Sequence, residues 1–158
     1  MKIWIVNESQ LGNGQKLSET LQKAIGKDAE VYVSHIDNVT PEKVVTDAPD
    51  LLIVVIAVRK FMLSNKMKRW LRAVKDKLSR KNKTIKSSVV YITHVLKIDT
   101  VNFWGKRMLK FLQHGDSIVN VYPEWLSGQV AKAEGPFVEG KLEEIEKNVK
   151  DILKWAKS

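Results

Sequence analysis

The residues best placed to do chemistry lie in one run near the start of the chain, Asn7-Glu8-Ser9-Gln10-Leu11-Gly12-Asn13-Gly14-Gln15. The run leaves an apolar, β-branched segment and enters a stretch whose apolar residues recur at helical spacing. Gly12 and Gly14 permit positive φ and a close approach of a ligand to the backbone. A helix start offers unpaired N–H groups and the positive end of the helix dipole. A phosphate is attracted by both. Ser9 and Asn13 add side-chain donors, and Gln10 and Leu11 complete the loop. The run is not a Walker A motif, because no Gly-Lys-Ser/Thr follows at the required spacing. It is not Gly-x-Gly-x-x-Gly either, because position 17 is Leu. A tight strand-to-helix turn needs the same glycines, so these residues alone leave both readings open.

Such a loop needs a strand before it and a helix after it, and the chain repeats that pair five times. Ile3–Val6, Ala29–Val33, Leu51–Val58, Ser88–Ile92 and Ile118–Tyr122 read as strands from their β-branched and aromatic content. Leu51–Val58 is apolar without alternation, as a strand covered on both faces should be. Between the strands the period changes to 3.6. Leu17, Leu21, Ala24 and Ile25 share a helical face, as do Met67, Trp70, Leu71, Val74 and Leu78. Val101, Trp104, Met108, Phe111 and Leu112 make another, and Leu142, Ile145, Val149, Ile152, Leu153 and Ala156 the last. Thr40-Pro41 reads as an N-cap with Pro at the first position of a short helix. Gly26 and Gly115 stand where helices should stop. The alternation predicts one α/β domain over residues 1–158, a doubly wound five-stranded parallel sheet with helices on both faces. Leu126–Gly140 is the longest irregular stretch and joins the last strand to the last helix.

Ligands of open α/β sheets bind outside the carboxyl ends of the strands, where the strand order reverses. The loops after the third and fourth strands therefore belong beside the first. They read Ala57-Val58-Arg59-Lys60-Phe61 and Thr93-His94-Val95-Leu96. Phe61 suits burial or contact with a bound ring, and His94 suits a polar loop position or a ligand contact. His35 and His114 are scattered and suggest no metal site. Trp70 and Trp104 sit on apolar faces and read as core. No catalytic residue and no metal ligand is assigned. The absence of cysteine rules out a disulfide scaffold, a Cys-ligated cluster and a cysteine nucleophile, and fits a reducing cytoplasm. The start of the chain lacks the apolar run of a signal peptide, and Leu51–Val58 is too short to span a bilayer.

The run Val6–Ser18 resembles the phosphate loop of the flavodoxin family. In that family an apolar strand is followed by Ser/Thr, two residues, Gly, one residue, Thr, three residues and Ala. Ser9 and Gly12 match that pattern and Asn13 matches the family's usual residue after the Gly. Gly14 replaces the Thr and Ser18 the Ala. Pro49–Val58 resembles the family's third strand, and Gly135-Pro136-Phe137-Val138-Glu139-Gly140-Lys141-Leu142-Glu143 resembles the segment before its last helix. The resemblance implies strand order 2-1-3-4-5, FMN as cofactor and electron transfer as activity. It implies that Ser9 to Gly14 hold the phosphate, that Ala57 to Phe61 flank one side of the isoalloxazine, and that Thr93 to Leu96 lie along the other. The lost Thr hydroxyl leaves open a second reading, a flavin-free binding module of the same fold. A response-regulator reading shares the fold but lacks the acidic pair after the first strand and the Asp ending the third.

The charge is concentrated. The chain carries 27 basic and 18 acidic side chains, a net +9. Residues 59–86 hold twelve of the bases and a single acid, Asp76, so the rest of the chain is slightly acidic. One basic helix face on a solvated surface is ordinary, but an almost acid-free one is not. Well-known flavodoxins tend to be acidic. The reversal predicts an acidic redox partner steered in by this helix. Nucleic acid is the weaker reading, because no aromatics are expected among the bases on an exposed face.

Overall fold

The structure, a computed structural model, describes residues 1–158. Its strands are β1 Lys2–Asn7, β2 Glu30–His35, β3 Leu51–Arg59, β4 Met62–Leu63, β5 Ile85–His94, β6 Ile118–Val121 and β7 Leu126–Gln129. Its helices are α1 Asn13–Ile25, α2 Pro41–Asp47, α3 Asn65–Arg80, α4 Ile98–Gln113 and α5 Lys141–Lys157. The parallel path runs β2-β1-β3-β5-β6. These are the five strands read from the sequence, in the relative order expected. The sheet holds seven strands, however, and the numerals shift because β4 intervenes.

Both additional strands are short. β4 turns back antiparallel on the end of β3, pairing Val58 with Leu63 and Arg59 with Met62. β7 lies parallel to the last part of β5, Tyr91 to His94, beyond the point where β6 stops. Part of the stretch expected to be irregular is therefore strand. Gly128 within it lets α1 lie close, since a Cβ there would come within 2.8 Å of a Leu17 methyl.

Period-2 alternation divides each central strand between two cores. Ile3 and Ile5 of β1, Leu51, Ile53 and Val55 of β3, and Val89 and Tyr91 of β5 face α1 and α5. Trp4 and Val6, Leu52, Val54 and Ile56, and Val90 and Ile92 face α2, α3 and α4. A strand with helices on both faces has no polar side, hence the unbroken apolar run in β3. Thr40 caps α2 as expected, its hydroxyl accepting from the Lys43 N–H at 3.1 Å. Gly26 and Gly115 adopt positive φ at helix ends.

The register of α5 differs from expectation in its first turn. Leu142 is exposed and Lys141 is buried. Lys141, Ile145, Val149, Ile152 and Ala156 form the inward stripe, so a lysine takes a core position. No helix is long and apolar enough to cross a membrane.

On the edge of the sheet α4 packs closely against the segment between β6 and β7. A Cβ on Gly105 would lie 2.3 Å from the Trp125 ring, whose Nε1 donates to Asn102 Oδ1 at 2.9 Å. Gly105→Ala should therefore destabilise the fold by about 1–3 kcal/mol, the usual cost of overpacking. Urea unfolding at constant m-value checks this.

Candidate functional site

β1 is flanked by β2 on one side and β3 on the other. The loop after it opens outward from that switch, and the loops after β3 and β5 rise beside it. They enclose a cavity of about 440 Å³. Ser9, Gln10, Leu11 and Asn13 line one part of it, Ala57, Val58, Arg59, Lys60 and Phe61 a second, and Thr93, His94, Val95 and Leu96 a third. The three sequence segments thus meet at one place. Gly12 and Gly14 do not line the cavity. Val130 and Ala133, which the sequence reading did not include, do.

Gly12 precedes α1 with φ 86°, a left-handed conformation that suits glycine, and a Cβ there would meet open space. No side chain caps α1. The Glu8 N–H donates to Val55 O at 3.1 Å and the Ser9 N–H to His35 Nε2 at 3.4 Å. The following six N–H groups, Gln10 through Gln15, donate to no protein group. Consecutive free N–H groups at a helix start make an anion-binding concavity.

One side chain of this loop has other work. Asn13 donates through Nδ2 to Ala133 O at 2.7 Å and so ties the loop before α5 to the one after β1. That contact explains why Ala133 joins the cavity, although it is far away in sequence. Gly14 is buried, and a Cβ there would stand 2.9 Å from Ser9 Cβ. A threonine at this position would displace Ser9, so the Thr-to-Gly departure follows from the path of this loop.

Glu8 is buried at the head of the loop and pairs with Arg59 Nη2 at 2.5 Å through Oε1. Its Oε2 is buried without a partner, as is Asn7 Oδ1. Arg59, one of the residues of the third-strand loop, is thus engaged with Glu8. Lys60 forms no ion pair and remains the free cation on the cavity wall. Lys60 and Phe61 form the two-residue turn between β3 and β4, with φ 48° and 64°. Paired positive φ values are the hairpin geometry that favours Asn-Gly, and two larger residues in it carry strain. The turn holds Phe61 outward, 64% exposed, beside exposed Leu11, Met62 and Val95.

His94 is buried, and both ring nitrogens are occupied. Nδ1 lies 2.6 Å from Leu96 O and Nε2 2.7 Å from Ser127 Oγ. A carbonyl can only accept, so Nδ1 carries the proton and Nε2 accepts from the Ser127 hydroxyl. Buried Lys141 Nζ donates to Ser127 Oγ at 3.4 Å and to Glu144 Oε2 at 2.8 Å. Every donor in this chain runs from Lys141 toward Leu96. His94 therefore offers a ligand no free nitrogen. A lysine and a serine scattered in sequence gave no signal of this network.

Burial holds the His94 imidazole below its ordinary value. The Leu96 carbonyl opposes that effect and the Lys141 ammonium adds to it. The folded protein keeps His94 neutral, and the unfolded chain takes up the proton first. Its contribution to stability is full above pH ~6.5 and is lost as the pH falls from there through the folded-state value. Urea unfolding between pH 8 and 5 should show this decline, and His94→Gln should remove that component of it.

No protein-family profile matches the sequence, and no curated protein sequence matches it. Solved structures do resemble the fold over the whole chain. A flavodoxin from the domain Archaea superposes with a TM-score of 0.73 at 16% identity, covering 100% of both chains. Oxidised flavodoxin 2 from Bacillus cereus gives 0.74 at 15% identity, over 98% of this chain and 99% of that one. A flavodoxin, WrbA-like protein from Agrobacterium tumefaciens gives 0.74 at 13%, over 99% and 97%.

Proposed function

We propose that this protein, whose fold is flavodoxin-like, binds FMN in the cleft between the β1, β3 and β5 loops and serves in electron transfer. The observation that carries the reading is the run of six free N–H groups from Gln10 to Gln15, at the switch in strand order and beside a mainly apolar cavity. A phosphate needs the first and a flavin ring the second. In this reading Ser9 to Gly14 hold the phosphate chiefly through the backbone. Ala57 to Phe61 flank one side of the ring and Thr93 to Leu96 the other. Bound FMN supplies the electron chemistry. The chain orients it, excludes water with Leu11, Phe61 and Val95, and sets one positive charge, Lys60, near its edge. Both nitrogens of His94 are occupied, which favours a carrier over an acid–base catalyst. The cysteine-free composition fits the cytoplasm as the proposed location.

One observation favours the second reading, a flavin-free module. The Glu8 carboxylate lies buried at the head of the loop with one oxygen unpartnered, where it opposes a dianion. Titration with FMN decides between the two. The first reading requires quenching of flavin fluorescence and a flavin visible spectrum on the purified complex. A protein that leaves added FMN unaffected is the flavin-free module.

If FMN binds as proposed, Gly12→Val should weaken it by about tenfold. A branched side chain resists the left-handed backbone by ~1–2 kcal/mol and disturbs the N–H array. Unchanged affinity in a folded variant places the phosphate elsewhere.

A further inference from the structure

Folding divides the basic segment into two sets. On the α2 side of α3, Lys66 pairs with Asp37, and Lys77 and Lys81 pair with Glu42. Two carboxylates thus offset two of these three charges within the molecule. On the α4 side no carboxylate lies within ion-pair distance. Lys68, Arg72 and Lys75 reach across to α4 and lie over aromatic rings instead. Lys68 Nζ is 5.8 Å from the Trp104 ring centre, and Arg72 Cζ is 5.7 Å from that of Phe111. Arg107 of α4 completes the cluster, 5.4 Å from the Phe103 ring centre and 5.7 Å from that of Trp104.

Lys75 has a structural task. Its Nζ donates to Phe111 O and His114 O, both at 2.6 Å, and closes the end of α4. Lys68, Arg72 and Arg107 have no carboxylate partner. Burial, with Arg107 and Arg72 close by, holds the Lys68 ammonium below its ordinary value. The crowded like charges repel one another, and a bound anion relieves that repulsion. Phe103 stands among them, 59% exposed. The sequence reading assigned Trp104 and Phe111 to the core and expected no aromatics among exposed bases. Both rings are half-buried at the margin of the core, under the cations.

We propose that the seam between α3 and α4 is the docking surface for an acidic protein partner, with carboxylates on Lys68, Arg72 and Arg107 and an apolar side chain on Phe103. The partner's being a redox protein rests on the electron-transfer reading above; the surface itself does not. Arginine presents paired donors that match a carboxylate. Stems already laid on rings have less water and less freedom to lose on docking. The geometry favours protein over nucleic acid. Cations already lie over the rings of Trp104 and Phe111, which leaves Phe103 as a single exposed ring and no platform for successive bases. The patch is also short, since Lys68 to Lys75 spans only about 10 Å of helix.

The test uses the full chain, with and without FMN, and fluorescence anisotropy of two probes: a labelled polyglutamate peptide and an oligothymidylate of equal charge. The peptide should bind, more weakly as salt rises. Arg72→Glu/Arg107→Glu should cut its affinity by about tenfold or more. Lys23→Glu/Lys27→Glu makes the same change in net charge near the end of α1, across the sheet, and should leave affinity within roughly twofold. Should the glutamate pair unfold, as judged by circular dichroism, Arg72→Gln/Arg107→Gln replaces it. Equal losses in both pairs, no peptide binding, or tighter binding of the oligothymidylate would overturn the proposal. FMN titration of the same samples keeps the two readings apart. Peptide binding at the seam without FMN binding retains the surface and removes the redox partner.

Discussion

The placement of β1 between β2 and β3 is the constraint from which the rest follows. Because β1 pairs in parallel on both sides, the chain must leave it at Asn7 with a neighbour on each edge. The helix after β1 crosses to one face of the sheet, and those after β2 and β3 to the other. The loops after β1 and β3 therefore part, and a cleft opens between them. The backbone bond from Glu8 to Val55 and the pair of Glu8 with Arg59 fasten the base of that cleft. The loops above then have few ways to run. The α1 loop turns through Gly12 with its N–H groups free, while Asn13 brings in the loop before α5. The fold thus supplies the concavity, and a handful of polar bonds set its walls.

Much of this was legible in the sequence because its signals were long and repeated. Five apolar runs and their intervening 3.6 periods are hard to satisfy by another architecture. The glycines of the first loop marked the cleft, and the ends of the third and fourth strands marked its sides. β4 and β7 were not legible. Each spans at most four residues, β4 turns on Lys60-Phe61 without a turn signature, and β7 reads Leu-Ser-Gly-Gln. Their pairing comes from a neighbour already in place, which local composition does not encode. Val130 and Ala133 were missed for the same reason: a backbone bond from Val130 to His94 O and the side-chain bond from Asn13 to Ala133 O bring them in.

Two further misreadings share one cause. Helical periodicity gives the direction of an apolar stripe but not what borders it. Trp104 and Phe111 lie on the correct stripe of α4 and still sit at its margin, because α3 presents cations there in place of apolar groups. Lys141 is the converse. A lysine outside the apolar face read from the sequence falls on the inward stripe of α5, where Ser127 and Glu144 satisfy its ammonium. In both places long side chains let charge and apolar surface share one site.

The unpartnered N–H groups after β1 also bear on how long the molecule survives. A folded chain with unfilled donors gains stability from whatever anion fills them, by an amount that rises with the logarithm of that anion's concentration. An unfolded chain has no such array and gains nothing. An anion seated in that one short loop would therefore lower how often the whole sheet opens to a protease. With such a ligand the lifetime of the protein would report ligand supply, with no separate sensing element required.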